Sequence, residues 1–242
     1  MKKLTLAAAT FAALTSSAIA ADLPRRAPAV APAPLPVATW SGCYLTGGIG
    51  YGMWNQDNHL VSPGLFENEH TDGGRGWLGR VGGGCDYQFG QRWVIGVLAD
   101  YDFASLKGDL TVPSLGLTGE EKNNWAWAVG GRLGYLPWDN LLVFVSGGYT
   151  EANFKAVNAR EDSTFSIGET RYPGWFLGSG YEYRFDWLPG LYWKTEYRFS
   201  SLNKKDNQVL DSGVPSAGDF VHSEKFIQTV TSSLVWRFNW WR

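Results

Sequence analysis

Arg80, Asp86, Asp100, Asp102, Arg132, Glu182, Arg184, Lys194, Glu196, Arg198 and Arg237 recur on alternate residues among aromatic and aliphatic neighbours. Six cations and five anions so placed can work on a substrate in a cleft, or they can neutralise one another. Catalysis needs a nucleophile, a base and an orienting acid in register. The three histidines, His59, His70 and His222, stand near no Ser or Asp at a telling spacing, and no G-x-S-x-G occurs. His59 and His70, beside Asp57, Glu67, Glu69 and Asp72, could ligate a metal or haem. No ligand spacing repeats there, so solvated loop histidines account for them better. Gly47-Gly48 and Gly82-Gly83-Gly84 lie on strand patterns and precede no helix, which disfavours phosphate cradles. The chain therefore reads as a non-enzyme without a cofactor.

The segments that carry these charges explain the alternative. From Leu191, the residues Leu191, Trp193, Thr195, Tyr197 and Phe199 share one parity, and Tyr192, Lys194, Glu196, Arg198 and Ser200 the other. A strand has a side-chain period of two, so these are its two faces. Trp77, Val81, Cys85, Tyr87 and Phe89 oppose Arg80, Gly82, Gly84, Asp86 and Gln88 in the same way. The pattern recurs with Ile95, Val97, Tyr101 and Phe103, with Trp125, Trp127, Val129, Leu133 and Tyr135, and with Trp175, Leu177, Tyr181, Tyr183 and Phe185. A water-soluble barrel would have to turn the apolar parity inward and leave the charges outside. Repetition of aromatic-rich faces favours the inverse: an apolar exterior against lipid, and an ionic interior whose charges must pair because unpaired buried charge is expensive. Two strands are less regular. Cys43, Leu45, Ile49, Tyr51 and Met53 oppose an uncharged set, and in Leu141–Tyr149 both parities are apolar.

Connections alternate in length. Gly90 to Arg92, Pro137 to Asn140 and Asp186 to Gly190 are short turns; residues 55–75, 104–123, 152–171 and 203–223 read as long polar loops. Three turns and four loops give eight strands, so the expected fold is an all-β, eight-stranded antiparallel up-and-down transmembrane β-barrel with both termini on one side. Aromatic residues near the strand ends form two interfacial girdles. A lumen of this size is about filled by side chains, so a plugged interior is expected, with a narrow porin-like channel or a loop-based ligand binder as alternatives.

Lys2 and Lys3, the apolar run from Leu4 to Ala13 and Ala18-Ile19-Ala20 read as a signal peptide over residues 1–20. Residues 21–39 form a Pro-rich periplasmic tail, and residues 40–242 the barrel. Removing Lys2 and Lys3 from 21 basic groups leaves 19 against 23 acidic ones, no footprint for nucleic acid. No apolar run reaches the roughly 18 residues of a transmembrane helix. Cys43 and Cys85 are the only cysteines, both on the outward parity near the turn-side strand ends. In an exported chain they form either a cross-strand disulfide or two lipid-facing thiols, depending on whether register brings the Cα atoms to about 5.5 Å.

The segments Ala21-Asp22-Leu23-Pro24, Trp40-Ser41-Gly42-Cys43-Tyr44-Leu45-Thr46-Gly47-Gly48 and Gly84-Cys85-Asp86-Tyr87-Gln88-Phe89 resemble the opacity-type, porin-family surface antigens of alpha-proteobacteria, known as outer-membrane immunogenic proteins. The resemblance covers the mature chain. It implies a barrel akin to the OmpA transmembrane domain in the Gram-negative outer membrane, surrounded by lipid and lipopolysaccharide, with host or surface ligands met at the long loops. It supplies no catalytic residues. It also implies that Val230, Leu234, Trp236 and Phe238 on the last strand are the signal read by the barrel-assembly machinery, although Asn239-Trp240-Trp241-Arg242 follow and the final residue is not aromatic.

Overall fold

The computed structural model describes residues 39–62, 65–66, 70–112, 117–158, 165–211 and 213–238. The expected signal peptide and nearly all of the Pro-rich tail lie outside the described residues, as do residues 239–242. Among the described residues eleven strands follow one another: β1 (Gly42–Ser62), β2 (Leu65–Phe66), β3 (His70–Phe89), β4 (Trp93–Val112), β5 (Leu117–Trp138), β6 (Leu141–Phe154), β7 (Val157–Asn158), β8 (Phe165–Ile167), β9 (Thr170–Arg184), β10 (Leu191–Asp211) and β11 (Val214–Phe238). Eight of them form a closed antiparallel ring in the order β1-β3-β4-β5-β6-β9-β10-β11, with β11 returning to β1. The short β2, β7 and β8 hang on its edge at one end. This is an eight-stranded up-and-down barrel, and Cys43 opposite Phe238 puts the start and finish of the ring at the same end.

At that end tight turns join β3 to β4, β5 to β6 and β9 to β10. Gly90 (φ 59°) and Gly190 (φ 89°) supply the left-handed backbone that two of these turns require. The other end departs from the sequence expectation. Among the described residues, the stretches read as long loops are mostly strand: β1 pairs with β11 as far as Val61, β4 with β5 as far as Val112, β10 with β11 as far as Asp211, and 152–171 holds the end of β6, the short β7 and β8 and the start of β9. A tilted strand crosses a bilayer in roughly 10 residues, whereas β1 has 21 and β11 has 25. Beyond the apolar band no face is required to be greasy, yet every backbone N–H and C=O still needs a partner. Hydrophobic periodicity therefore lapses well before the ladder does.

The outward parity is apolar and bare. Val97, Leu177 and Leu234 are 63%, 59% and 54% exposed. Aromatic pairs rim this band. Trp93–Tyr135 and Tyr181–Trp193 lie toward the turns, while Tyr51–Trp77, Tyr101–Trp125 and Trp175–Phe199 lie toward the long ends. The ambiguity in β6 has a physical reason. Val143 and Val145 face out, while Leu142 and Phe144 are buried inward, because the lumen holds apolar layers as well as ionic ones. One such layer, with Trp40, Tyr44, Val94, Leu136, Leu142, Tyr192 and Val235, lies toward the turns. Another, with Trp54, Leu78, Leu106, Phe154, Tyr172, Leu202 and Ile227, lies toward the long ends.

Inward glycines let strands and side chains fit a narrow lumen. Gly130 and Gly148 oppose each other across β5 and β6, and a Cβ on Gly148 would stand 2.2 Å from the Val129 carbonyl oxygen and 2.5 Å from Gly130 Cα. Backbone cannot yield there as a flexible side chain would. Gly148→Val is expected to cost about 1–3 kcal/mol through overpacking, measured by urea unfolding in lipid vesicles. Gly47→Ala, on the outward face with nothing within 4 Å, should change little. Equal effects at the two sites would refute this account of the lumen.

Candidate functional site

The chemistry-bearing residues gather inside the ring, because each occupies the inward parity of its strand and the strands stand in register. Arg80 of β3 lies directly across from Asp102 of β4. Its Nε and Nη2 donate to the two carboxylate oxygens at 2.6 and 2.7 Å. On the far side of the lumen Arg198 donates in the same two-pronged way to Asp100, 2.8 Å to each oxygen, and shares Glu196 with Lys194. The fork of a guanidinium matches a carboxylate geometrically, which makes these the stronger class of charged hydrogen bond. Arg80 stands 3.9 Å from both Asp100 and Glu196, so the group is one cluster of Arg80, Lys194 and Arg198 against Asp100, Asp102 and Glu196. It is electrically neutral.

A second cluster lies nearer the turns. Arg132 grips Asp86 with two nitrogens and reaches Glu182 at 3.2 Å. Arg237 donates to Glu182 at 2.9 Å and to Asp86 at 2.6 Å. Two cations face two anions, again neutral, with all four side chains at most 2% exposed. Aromatic rings cover this cluster: the Arg132 guanidinium lies 4.5 Å from the Tyr44 ring centre, and Arg237 lies 5.0 Å from both Trp40 and Tyr192.

Ten of the eleven charges singled out in the sequence thus meet in two clusters. Arg184 does not join them: it pairs with Asp186 at 3.6 Å, its side chain 22% exposed. As the last residue of β9, it has left the enclosed part of the ring. A third neutral pair is not legible in the sequence. Lys225 Nζ donates to Glu121 at 2.7 Å, both side chains buried, and lies 4.4 Å from the Phe154 ring centre and 5.0 Å from that of Tyr172. Glu121 sits in a stretch that reads as loop, although extending the β11 alternation from Val230 back to Lys225 places the lysine inward. Nor does the sequence mark Trp40 as a lumen residue. It precedes β1, yet its backbone N–H donates to Gln88, its indole N–H donates to the Asp139 carbonyl, and its own carbonyl accepts from Arg237. A tryptophan buried to 1% exposure thus stops the turn-side mouth.

Cys43 and Cys85 stand in register on β1 and β3, their Cα atoms 3.9 Å apart, and are joined as a disulfide on the outer face. Val230, Leu234, Trp236 and Phe238 project outward from β11 where the ring closes. Among the histidines, His222 Nδ1 meets Asp206 Oδ1 at 2.5 Å on the exposed exterior. Asp57 accepts from the Thr71 hydroxyl at 2.8 Å. The side chains of His59, Glu67, Glu69 and His70 lie outside the described ones. The arrangement can hold a rigid, electrically balanced interior. No nucleophile is set beside a base in the three clusters.

The family model of the outer membrane protein beta-barrel domain matches residues 6–238. The 31 kDa outer-membrane immunogenic proteins of Brucella melitensis and Brucella suis are each 32% identical to this chain over 233 residues, covering 88% of it and 95% of the relative. The crystal structure of the outer membrane protein OprG from Pseudomonas aeruginosa covers 82% of this chain and 97% of its own with a TM-score of 0.51. At 8% identity that is a likeness of fold alone. A closed eight-stranded ring with its grease outside and its charges inside, matched across nearly its whole length, belongs to the outer membrane protein beta-barrel family and is an outer-membrane protein related to the Brucella immunogenic proteins.

Proposed function

We propose that the mature protein is a non-enzymatic structural component and surface antigen of the Gram-negative outer membrane, with a lumen sealed by paired charges. Export removes residues 1–20, both termini stay in the periplasm, and the barrel-assembly machinery reads the outward face of β11. The long strand ends then stand outside the cell, where the immune system or a surface ligand meets them. The observation that carries the sealed lumen is its stacking of three neutral ionic groups among apolar layers, with Trp40 at the turn-side mouth and Lys225 in its aromatic surround toward the long ends. An ion crossing that stack has to break buried charge pairs, each of which is costly to separate.

Planar-bilayer recording tests this. Folded protein is expected to give no steady single-channel steps, whereas reproducible ion-selective steps would replace the sealed barrel with the narrow-channel alternative. A band whose mobility shifts on heating would check in the same preparation that the barrel had folded.

A further inference from the structure

Just beyond the outer aromatic girdle, cations line up across strands. In register, Arg75 of β3 stands opposite Lys107 of β4, and Lys107 stands opposite Lys122 of β5. The backbone N–H of Lys155, following β6, then donates to the Lys122 carbonyl, which continues the row. Arg75, Lys107 and Lys155 are exposed on the outer face, and Lys122 is half-buried there. Arg171, on β9, is exposed and lies over the Trp125 ring at 5.5 Å, tying the row to the girdle itself.

Like charges directly opposite one another on neighbouring strands destabilise a sheet, so this row is an electrostatic cost that the rest of the fold does not require. Local acids offset it in part. Glu120 bonds Lys107 at 3.0 Å, while Asp109 stands opposite Glu120 one step further from the girdle. Glu151 lies on the membrane side, opposite Trp127. Lys107 is thereby paired, and the row's five cations outnumber these three acids, so the arc through Arg75, Lys122, Lys155 and Arg171 keeps a net positive charge one residue pair above the rings. Aromatic girdles mark the depth of the bilayer interface, so the arc sits at headgroup height.

We propose that this arc is a binding site for the phosphate groups of the outer leaflet's glycolipid, lipid A, with the acyl chains lying along the apolar band below Trp77 and Trp125. The site rests on the orientation proposed above, since only with the long strand ends outward does the arc meet that leaflet. Each cation near an anionic surface contributes on the order of a fivefold change in binding. Fixed opposite one another, the side chains grip a phosphate without first having to be gathered.

The test uses the folded, disulfide-bonded protein in phosphatidylcholine vesicles doped in both leaflets with diphosphoryl lipid A, or with the same lipid A dephosphorylated. Bound lipid is counted by native mass spectrometry. The wild type is expected to prefer the diphosphoryl form, and Arg75→Gln/Lys122→Gln/Lys155→Gln to lose on the order of a hundredfold of that preference. Arg92→Gln, at the turn end, should lose none. An unchanged preference in the triple variant would overturn the site, as would equal binding of the two lipids by the wild type. Displacement by millimolar inorganic phosphate would show a free-anion site instead and overturn the glycolipid assignment. Orientation is read separately, by antibody access to an epitope inserted at Gly213 on intact cells. A hidden epitope would refute the orientation, whereas vesicles doped on both sides report lipid preference alone.

Discussion

Arg132→Met is expected to lower the stability of the barrel by about 3–5 kcal/mol, the cost of breaking a buried ion pair by removing one partner. The substitution leaves Asp86 and Glu182 facing Arg237 alone, two carboxylates against one cation in side chains with no measurable exposure. The hydrophobic replacement fills space, so the loss is electrostatic. Asp86→Asn in the same chain should restore neutrality and recover part of the loss, giving a coupling energy of roughly 0.5–3 kcal/mol in a double-mutant cycle. Lys107→Met removes a partner from an exposed pair with Glu120 and should cost no more than about 1 kcal/mol. Urea titration in vesicles, followed by gel mobility and tryptophan fluorescence, measures all five proteins: the wild type, Arg132→Met, Asp86→Asn, their combination and Lys107→Met. An Arg132 variant as mild as the Lys107 one would mean that the clusters are not held neutral by pairing, and the sealed-lumen reading would fall with them.

Val97→Arg carries the second large effect. Val97 is 63% exposed and lies midway along β4 between Trp93 and Tyr101. In water, a polar substitution at such an exposed site stays within about ±0.5 kcal/mol. At the midplane of a bilayer, an arginine on the outer face of a barrel costs about 2–4 kcal/mol. The same vesicle titration distinguishes the two. A negligible effect at Val97 would contradict the placement of the apolar band in lipid. The two substitutions probe opposite faces of one wall: Arg132 shows what the interior demands, Val97 what the exterior demands.

Both demands explain why much of the architecture is legible in the amino-acid sequence. Alternation in Leu191–Phe199 or Trp77–Phe89 registers only which residues must be greasy, and in a bilayer that requirement is strict over one segment of each strand. It therefore sets the number of strands, the face each side chain takes and the ionic character of the lumen. It falls silent wherever the requirement lapses. Residues 104–123 read as loop because their outer face meets headgroups or water and has no need of apolar groups, though β4 and β5 stay paired throughout most of that stretch. Leu141–Tyr149 is ambiguous for the converse reason, since its inward side belongs to apolar layers that cap the charges.

The chain itself determined parity, and with it the shared face of the eleven charges, because parity is a local consequence of a two-residue period. Only the closed ring decided who pairs with whom. Asp86 and Arg237 are 151 residues apart in sequence, and Lys225 and Glu121 are 104 apart. Their contact depends on register carried across neighbouring strands, from β11 through β1 to β3 and on through β4 to β5, to which no single strand holds the key. Register likewise decided that Cys43 meets Cys85, that Arg184 falls outside the clusters, and that Trp40, from a segment with no strand pattern, closes the mouth beside them. Local sequence sets the face; closure of the sheet sets the partner.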